Sequence, residues 1–431
     1  NANGATYIAY LFAHNDGDGE FGPNADQDII KCGSFTSDGA DTITLGFEPQ
    51  WVIVKQTDGS AGWYIWDTMR GWQVGDVGNN NDPYIYANSS NAESDFTVDV
   101  GFPTATGFET KSFGTGEYIY MAIRRGPLAE PTSASDVFAI STYGQGGSAV
   151  PSYTSNFPVD MYFERPNNTA FSWHISSRFT GPHYMKTDST AAEAADSSLY
   201  YDFMDGVYNG TGVNTAYYGW MWKRAPKYFD VVAYTGTGST HNVSHNLGVV
   251  PEMMWVKRRD TSYGWYVYHK DIGNTKYLAL ENTDAEATGT GAWDSTTPTS
   301  SVFTVGTQHR TNQSGGSLIA YLFATLAGVS KVGSYTGNGS SQNIDCGFSN
   351  GAKFVLIKRT DGAGNWCVFD TTRGIVAGND YLLKLNVTDA QSSDYDQVDP
   401  FSSGFTVVRG GQAEIDVNYS GLEYIFYAIA A

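Results

Sequence analysis

Three shortages bound what this chain can be. Basic residues are scarce: 25 Lys and Arg stand against 45 Asp and Glu in 431 residues, a formal net charge of −20. Nucleic-acid binding rests on a basic footprint that displaces counterions from phosphate, so no nucleic-acid partner is expected, and an anionic membrane surface would repel the chain. Cysteine is scarce too. Cys32, Cys346 and Cys367 are odd in number and scattered, with no CxxC, which argues against a disulfide framework and against a zinc site; all three read as small buried hydrophobes. Apolar runs of about 18 residues are missing, so no membrane insertion is expected. HExxH, GxSxG and P-loop signatures are also missing, and the reading is non-enzymatic.

The abundant residues are Gly, at 49, and aromatics, with 23 Phe, 29 Tyr and 11 Trp. A disordered chain has few aromatics, so this one folds. The residues also repeat. Four times, a strand-like run ends in a basic residue, a Trp follows eight positions later, and a Gly eight after that: Lys55, Trp63 and Gly71; Arg165, Trp173 and Gly181; Lys257, Trp265 and Gly273; Lys358, Trp366 and Gly374. Successive Trp residues lie about 100 positions apart, the size of a small domain. Each unit closes on an aromatic strand, such as YIYMAI at 118–123 or YIFYAI at 424–429.

Runs of four to eight residues rich in Val, Ile, Tyr, Phe, Trp and Thr alternate with Gly, Asn, Ser and Asp turns, and long helical periodicity is missing. The predicted fold is all-β: about four tandem antiparallel β-sandwiches of jelly-roll or lectin-like type. The predicted boundaries are 29–126, 135–224, 227–326 and 328–431. The connectors are short and one is Pro-rich, which predicts a stiff string of beads. Residues 1–28 read as the closing strand of a preceding repeat plus an acidic loop, because residues 7–13 match the closing strand of the third unit. Truncation of a longer chain is the expected reason; donation of this strand to a neighbouring chain is the alternative.

Several segments carry a family resemblance: YIAYLFAH at 7–14, IIKCGSF at 29–35, LGFEPQWV at 45–52, DTMRG at 67–71 and YIYMAIRRGP at 118–127, with NLGVVPEMMWVK at 246–257 and GWYVY at 264–268 in the third unit. They resemble a repeat domain of tailed bacteriophages, particularly phages of cyanobacteria and other marine bacteria. The resemblance covers most of the chain. The second unit departs most, lacking the Leu-Gly-x-x-Pro step. The resemblance implies a virion structural protein of the tail-fibre type, in a virion or extracellular location, with other virion proteins as partners.

The recurrent pair of Trp and basic residue admits two readings. Trp63, Trp173, Trp265 and Trp366 could stack on sugar faces, but repetition at one spacing favours each as the core of its own unit. Lys55, Arg165, Lys257 and Lys358 are then expected at strand ends, stems packed and heads solvated. Four positions after each Trp stand Asp67, Ser177, His269 and Asp370, too varied for a repeated active site. Asp67 with Arg70, and Asp370 with Arg373, read as local ion pairs of little weight. Asp16, Asp18 and Glu20 alternate within an acidic loop, and such hard oxygen ligands suit Ca²⁺; no other cofactor is expected. Ligand binding is expected in loops that differ between units, at 72–83 and 206–214.

The functional expectation is a rigid spacer and host-surface glycan adhesin that oligomerises with copies of itself, since multiple weak contacts add. The alternatives are a fibre-associated glycan depolymerase, whose two carboxylates need no local motif, and a non-viral secreted carbohydrate-binding adhesin.

Overall fold

A computed structural model of the chain describes residues 6–14, 21, 27–74, 82–96, 98–126, 129–144, 150–210, 214–409 and 417–431. Unit 1 shows the plan. Its strands are β1 (Ile30–Ser37), β2 (Thr42–Thr44), β3 (Pro49–Gln56), β4 (Trp63–Asp67), β5 (Pro83–Tyr86), β6 (Ser94–Asp95), β7 (Gly101–Thr104), β8 (Gly107–Thr110) and β9 (Gly116–Arg124). They form a six-stranded sheet in the order β1-β9-β3-β4-β5-β6 and a three-stranded sheet β2-β8-β7, all antiparallel. The same order recurs in units 2, 3 and 4, whose first and last strands begin and end at Phe138 and Trp222, Phe229 and Phe323, and Ser330 and Ala430. The chain is thus four tandem antiparallel β-sandwiches. In unit 3 the small sheet has two strands.

Pleating explains the sandwich core. Val52 and Val54 of β3 turn inward, with Trp66 and Tyr118, to meet Ile43, Leu45, Val100 and Phe108. Two recurrent glycines have a backbone reason. The Gly eight after each Trp has positive φ in all four units, at 101°, 57°, 87° and 132° for Gly71, Gly181, Gly273 and Gly374. The glycine of the Leu-Gly or Cys-Gly step does as well: Gly46, Gly248 and Gly347 lie at 84°, 75° and 72°. Unit 2 places Asn156 there at φ 69°. Asn is the side chain that best tolerates this region, so unit 2 keeps the turn without the glycine motif.

The units do not form a string of beads. Units 2, 3 and 4 pack into a closed ring, because the outer face of each six-stranded sheet is apolar as well as the inner one. Every residue of the strand Met161–Pro166 is buried, and the counterparts Met253–Arg258 and Ala352–Arg359 are buried along nearly their whole length. The outer faces share one hydrophobic cluster. Phe163 stacks on Trp255 at 5.8 Å, Phe323 meets Tyr427 at 5.0 Å, and Phe138 meets Phe354 at 5.6 Å, one contact for each pair of units. In unit 1 the same strand, β3, alternates between buried and half-buried.

One inward group of unit 2 couples the fold to pH. Glu164 is buried, accepts from the Asn209 amide at 2.6 Å, and has its pKa raised to about 7 by desolvation, which the Asn209 hydrogen bond opposes. The folded state therefore holds this proton where the unfolded chain releases it. Stability is full below the unfolded value of 4.5 and falls as pH rises toward 7, by about 3 kcal/mol at most. Glu164→Gln is expected to raise the melting temperature at pH 8 and leave it nearly unchanged at pH 4.5. Equal shifts at both pH values in a calorimetric comparison would contradict this.

Candidate interaction surfaces

The four Trp residues part company. Trp173, Trp265 and Trp366 are buried, yet none is the core of its own unit. Each lies on the outer sheet face and donates its indole N–H to a backbone carbonyl of another unit: Trp265 to Lys186 of unit 2 at 2.9 Å, Trp366 to Ala279 of unit 3 at 2.9 Å, and Trp173 to Lys384 of unit 4 at 2.8 Å. The donations close a cycle of three. Trp63 has no such partner among the described residues and is 36% exposed. The expectation that each indole anchors its own sandwich is therefore corrected. The Trp-centred packing is between units, and in unit 1 the ring lies open.

The basic residues follow the same cycle, which corrects the expectation of solvated heads. Lys257 and Lys358 are fully buried. Their ammonium groups donate to Tyr263 and Gly364 of their own loops at 2.6 and 2.7 Å, and to Thr190 and Thr283 of the neighbouring unit at 3.3 and 3.1 Å. Burial pushes Lys257 down to about 8, against the pull of Glu281. Arg165 is buried over the Trp173 ring and donates to Thr388 and Asp389 of unit 4 at 3.3 and 2.6 Å. Among the described residues Lys55 instead caps its own loop alone, at Gln56, Gly59 and Ala61.

In unit 4 the position four after the Trp also faces into the ring. Asp370 pairs with Arg373 at 2.6 Å and accepts the Trp220 indole N–H of unit 2 at 3.1 Å, with both side chains of the pair at 0% exposure. This is a buried ion pair, not the weak local one expected. His269 is buried neutral, its pKa lowered to about 3 by desolvation, with Lys270 adding. Asp67 and Arg70 form the expected local pair at 2.9 Å. Cys346 and Cys367 are buried, and Cys32 is half-buried. The Ca²⁺ candidates Asp16, Asp18 and Glu20 lie outside the described residues. Among the described residues, no group of three or more His, Cys, Asp and Glu is placed to hold a metal ion.

Unit 1 docks on the ring through a buried ionic junction. Arg224 of unit 2 donates to both oxygens of Glu48 at 2.8 and 2.7 Å and to Asp230 of unit 3 at 2.7 Å, and Arg125 adds a contact to Glu48 at 3.2 Å. Burial works against the Arg224 cation; Asp230 and Glu48 outweigh it and hold the guanidinium charged. For Asp230, burial is likewise outweighed by Arg224 and Arg125, which leave its pKa below the ordinary value. Nearby, Val74 N donates to Phe179 O at 2.9 Å, and Arg259 of unit 3 donates to Val74 O at 2.7 Å.

Beside this junction, between units 1 and 2, lies a cleft of about 370 Å³. Glu93, Asp95 and Asp202 line it together with Arg70 and Tyr200. Arg70 bonds Glu93 at 3.0 Å. Partial burial works against its charge, and Glu93 and Asp67 outweigh that effect. Tyr200 is 47% exposed, and its ring lies 5.9 Å from Tyr208, which in turn stands 6.3 Å from Phe203. Both variable loops singled out from the sequence border this region: Gln73 and Pro83 line the cleft, and Tyr208 belongs to the aromatic group. Residues 75–81 and 211–213 of those loops lie outside the described residues. Reasoning from sequence missed that one loop lines a cleft and the other stands beside the Tyr200 that also lines it, since nothing local to either encodes the docking of unit 1.

Fold and surface together define a tandem β-sandwich protein with a three-unit ring and one appended sandwich. The chain belongs to the family "Domain of unknown function (DUF7483)", whose model matches residues 1–127 and 133–431. No curated protein matches it.

Proposed function

We propose that the chain is a structural protein of a bacteriophage virion, of the tail-fibre or appendage type, acting as a rigid spacer and as an adhesin for host-surface glycan. The observation that carries the adhesin reading is the cleft between units 1 and 2. Carboxylates and a charged guanidinium are the groups that hydrogen-bond sugar hydroxyls, and an exposed Tyr offers a flat apolar face to a pyranose ring. The buried ring supports the spacer reading, because a closed packing of three sandwiches resists bending more than linked modules do. The virion assignment rests on the sequence resemblance.

The purified chain is expected to bind host-envelope polysaccharide in calorimetric titration. Tyr200→Ala and Glu93→Gln should each weaken binding by about tenfold, or ~1.4 kcal/mol. Unaltered affinity in both variants would mean that glycan does not bind in the cleft. Shortening of the polysaccharide, abolished by Glu93→Gln or Asp202→Asn, would replace the adhesin with the depolymerase alternative. Co-purification with capsid protein tests the virion assignment, and secretion from uninfected cells would overturn it in favour of a non-viral adhesin.

A further inference from the structure

We infer that the open outer face of unit 1 is a trimerisation surface, on which three copies of this chain repeat between molecules the ring that units 2, 3 and 4 form within one. The inference does not depend on the glycan-binding reading.

The face of unit 1 carries Trp51, Ile53, Trp63, Ile65, Ile119 and Met121, and none of these is buried. The strand register fixes their counterparts. Lys55 lies opposite Ile119 on β9 as Lys257 lies opposite Ile319 and Lys358 opposite Ile425. In units 3 and 4 the counterparts of all six are buried in the ring; in unit 2 five of six are, Tyr218 being partly buried. An apolar sheet face of this composition left in water is a surface that seeks a partner.

The polar half of the interface is also present in unit 1, and it is prearranged. In units 2, 3 and 4 the Trp backbone N–H is held by a side chain across the sheet: Asp188, Glu281 and Asn386, each at 2.9 Å. Asn88 holds Trp63 in the same way at 2.9 Å. The ammonium of Lys55 reaches Ala61 O at 2.8 Å, as Lys257 and Lys358 reach Tyr263 and Gly364. What unit 1 lacks is the neighbour's half. The ring shows what that half is. The indole acceptor is the carbonyl of Lys186, Ala279 or Lys384, and the residue four further on receives the basic group. Three positions beyond that, the backbone N–H of Glu193, Glu286 or Gln391 donates to Arg259, Thr360 or Asn167, at 2.8 to 2.9 Å. By register, unit 1 offers Tyr86 O, Ser90 O and the Glu93 N–H for these roles, with Thr57 O as the last acceptor. Unit 1 therefore carries both halves of one interface on different edges of its sheet. Such a surface is head-to-tail, and the ring built from its repeats closes at three.

The occupant is a further copy of the chain because the face matches faces of its own repeats, residue type by residue type, and because unit 1 uses other residues to dock. It meets the ring through Glu48, Val74 and Ala105, none of which lies on the open face.

Light scattering on the full chain is expected to give three times the 46.8 kDa chain mass. Trp63→Glu is expected to give the monomer with an unchanged melting transition of the ring. A double variant, Thr57→Cys with Glu93→Cys, places thiols where the ring has a backbone hydrogen bond, and on oxidation it should yield a covalent trimer, while either single variant should not. A monomeric or dimeric wild-type chain overturns the inference, as does a trimer that survives Trp63→Glu. A ladder extending beyond three chains in the double variant would show an open filament and overturn closure. If Trp63→Glu fails to fold, the crosslinking pair still decides.

Discussion

Trp366→Ala is expected to destabilise the three-unit ring by about 3–5 kcal/mol, whereas Trp63→Ala costs a single chain less than about 1 kcal/mol. The two residues occupy the same place in homologous units, so intrinsic propensity cannot separate them; only surroundings can. Trp366 is 1% exposed, wedged between units 3 and 4, and its N–H is satisfied by Ala279 O. Removing the ring loses the transfer energy, opens a cavity between two sheets that cannot both relax, and leaves a buried carbonyl short of a donor. Trp63 is over a third exposed, and its removal from a lone chain costs a fraction of that. Urea unfolding of the two variants, with Trp63→Ala measured at a dilution where the chain is monomeric, checks the contrast. Equal costs would mean that the indoles are cores of their own sandwiches after all.

That contrast also shows how far the sequence could be read. Strand composition and turn chemistry were enough for the all-β class, because alternating Val, Ile, Tyr and Trp between Gly and Asn turns has few other solutions. Burial of the outer faces was harder. Runs such as KFVLIKR at 353–359 are apolar at successive positions, the mark of a strand covered on both sides. Yet VIVK at 52–55 reads the same way and is covered on one side only. Periodicity reports that a face is apolar, never what covers it. The basic residues were misjudged for the same reason. A buried Lys needs carbonyls around it, and one of those around Lys358 comes from Thr283, 75 residues earlier in the chain. The cleft was half legible: the loops near it differ between units, but the docking of unit 1 that forms it depends on Arg224, Glu48 and Asp230, which carry no motif.

The second large effect belongs to that junction. Arg224→Met keeps an unbranched apolar stem and removes its charge, leaving Glu48 and Asp230 buried at 3% and 1% exposure with Arg125 and the Asn246 N–H groups as neighbours. The expected cost is about 3–5 kcal/mol, most of it the penalty of carboxylates without a cation and not the worth of the bridge itself. Two consequences separate these. A triple variant, Arg224→Met with Glu48→Gln and Asp230→Asn, should recover much of the loss, since neither acidic position then carries a charge to be desolvated and Arg125, at 14% exposure, keeps some contact with water. The pH dependence should also invert. In the native chain Asp230 is held below 3.8, so its contribution is present above that value and lost as pH falls through the folded pKa. Without Arg224 the same carboxyl rises above its unfolded value, so the variant is worst near neutrality and recovers on acidification, as protonation removes the buried charge. Stability measured from pH 4.5 to 8 should therefore show the difference between native chain and variant widening with pH. A constant difference across that range would mean that the loss is one of packing, and that the junction holds unit 1 by shape and not by charge.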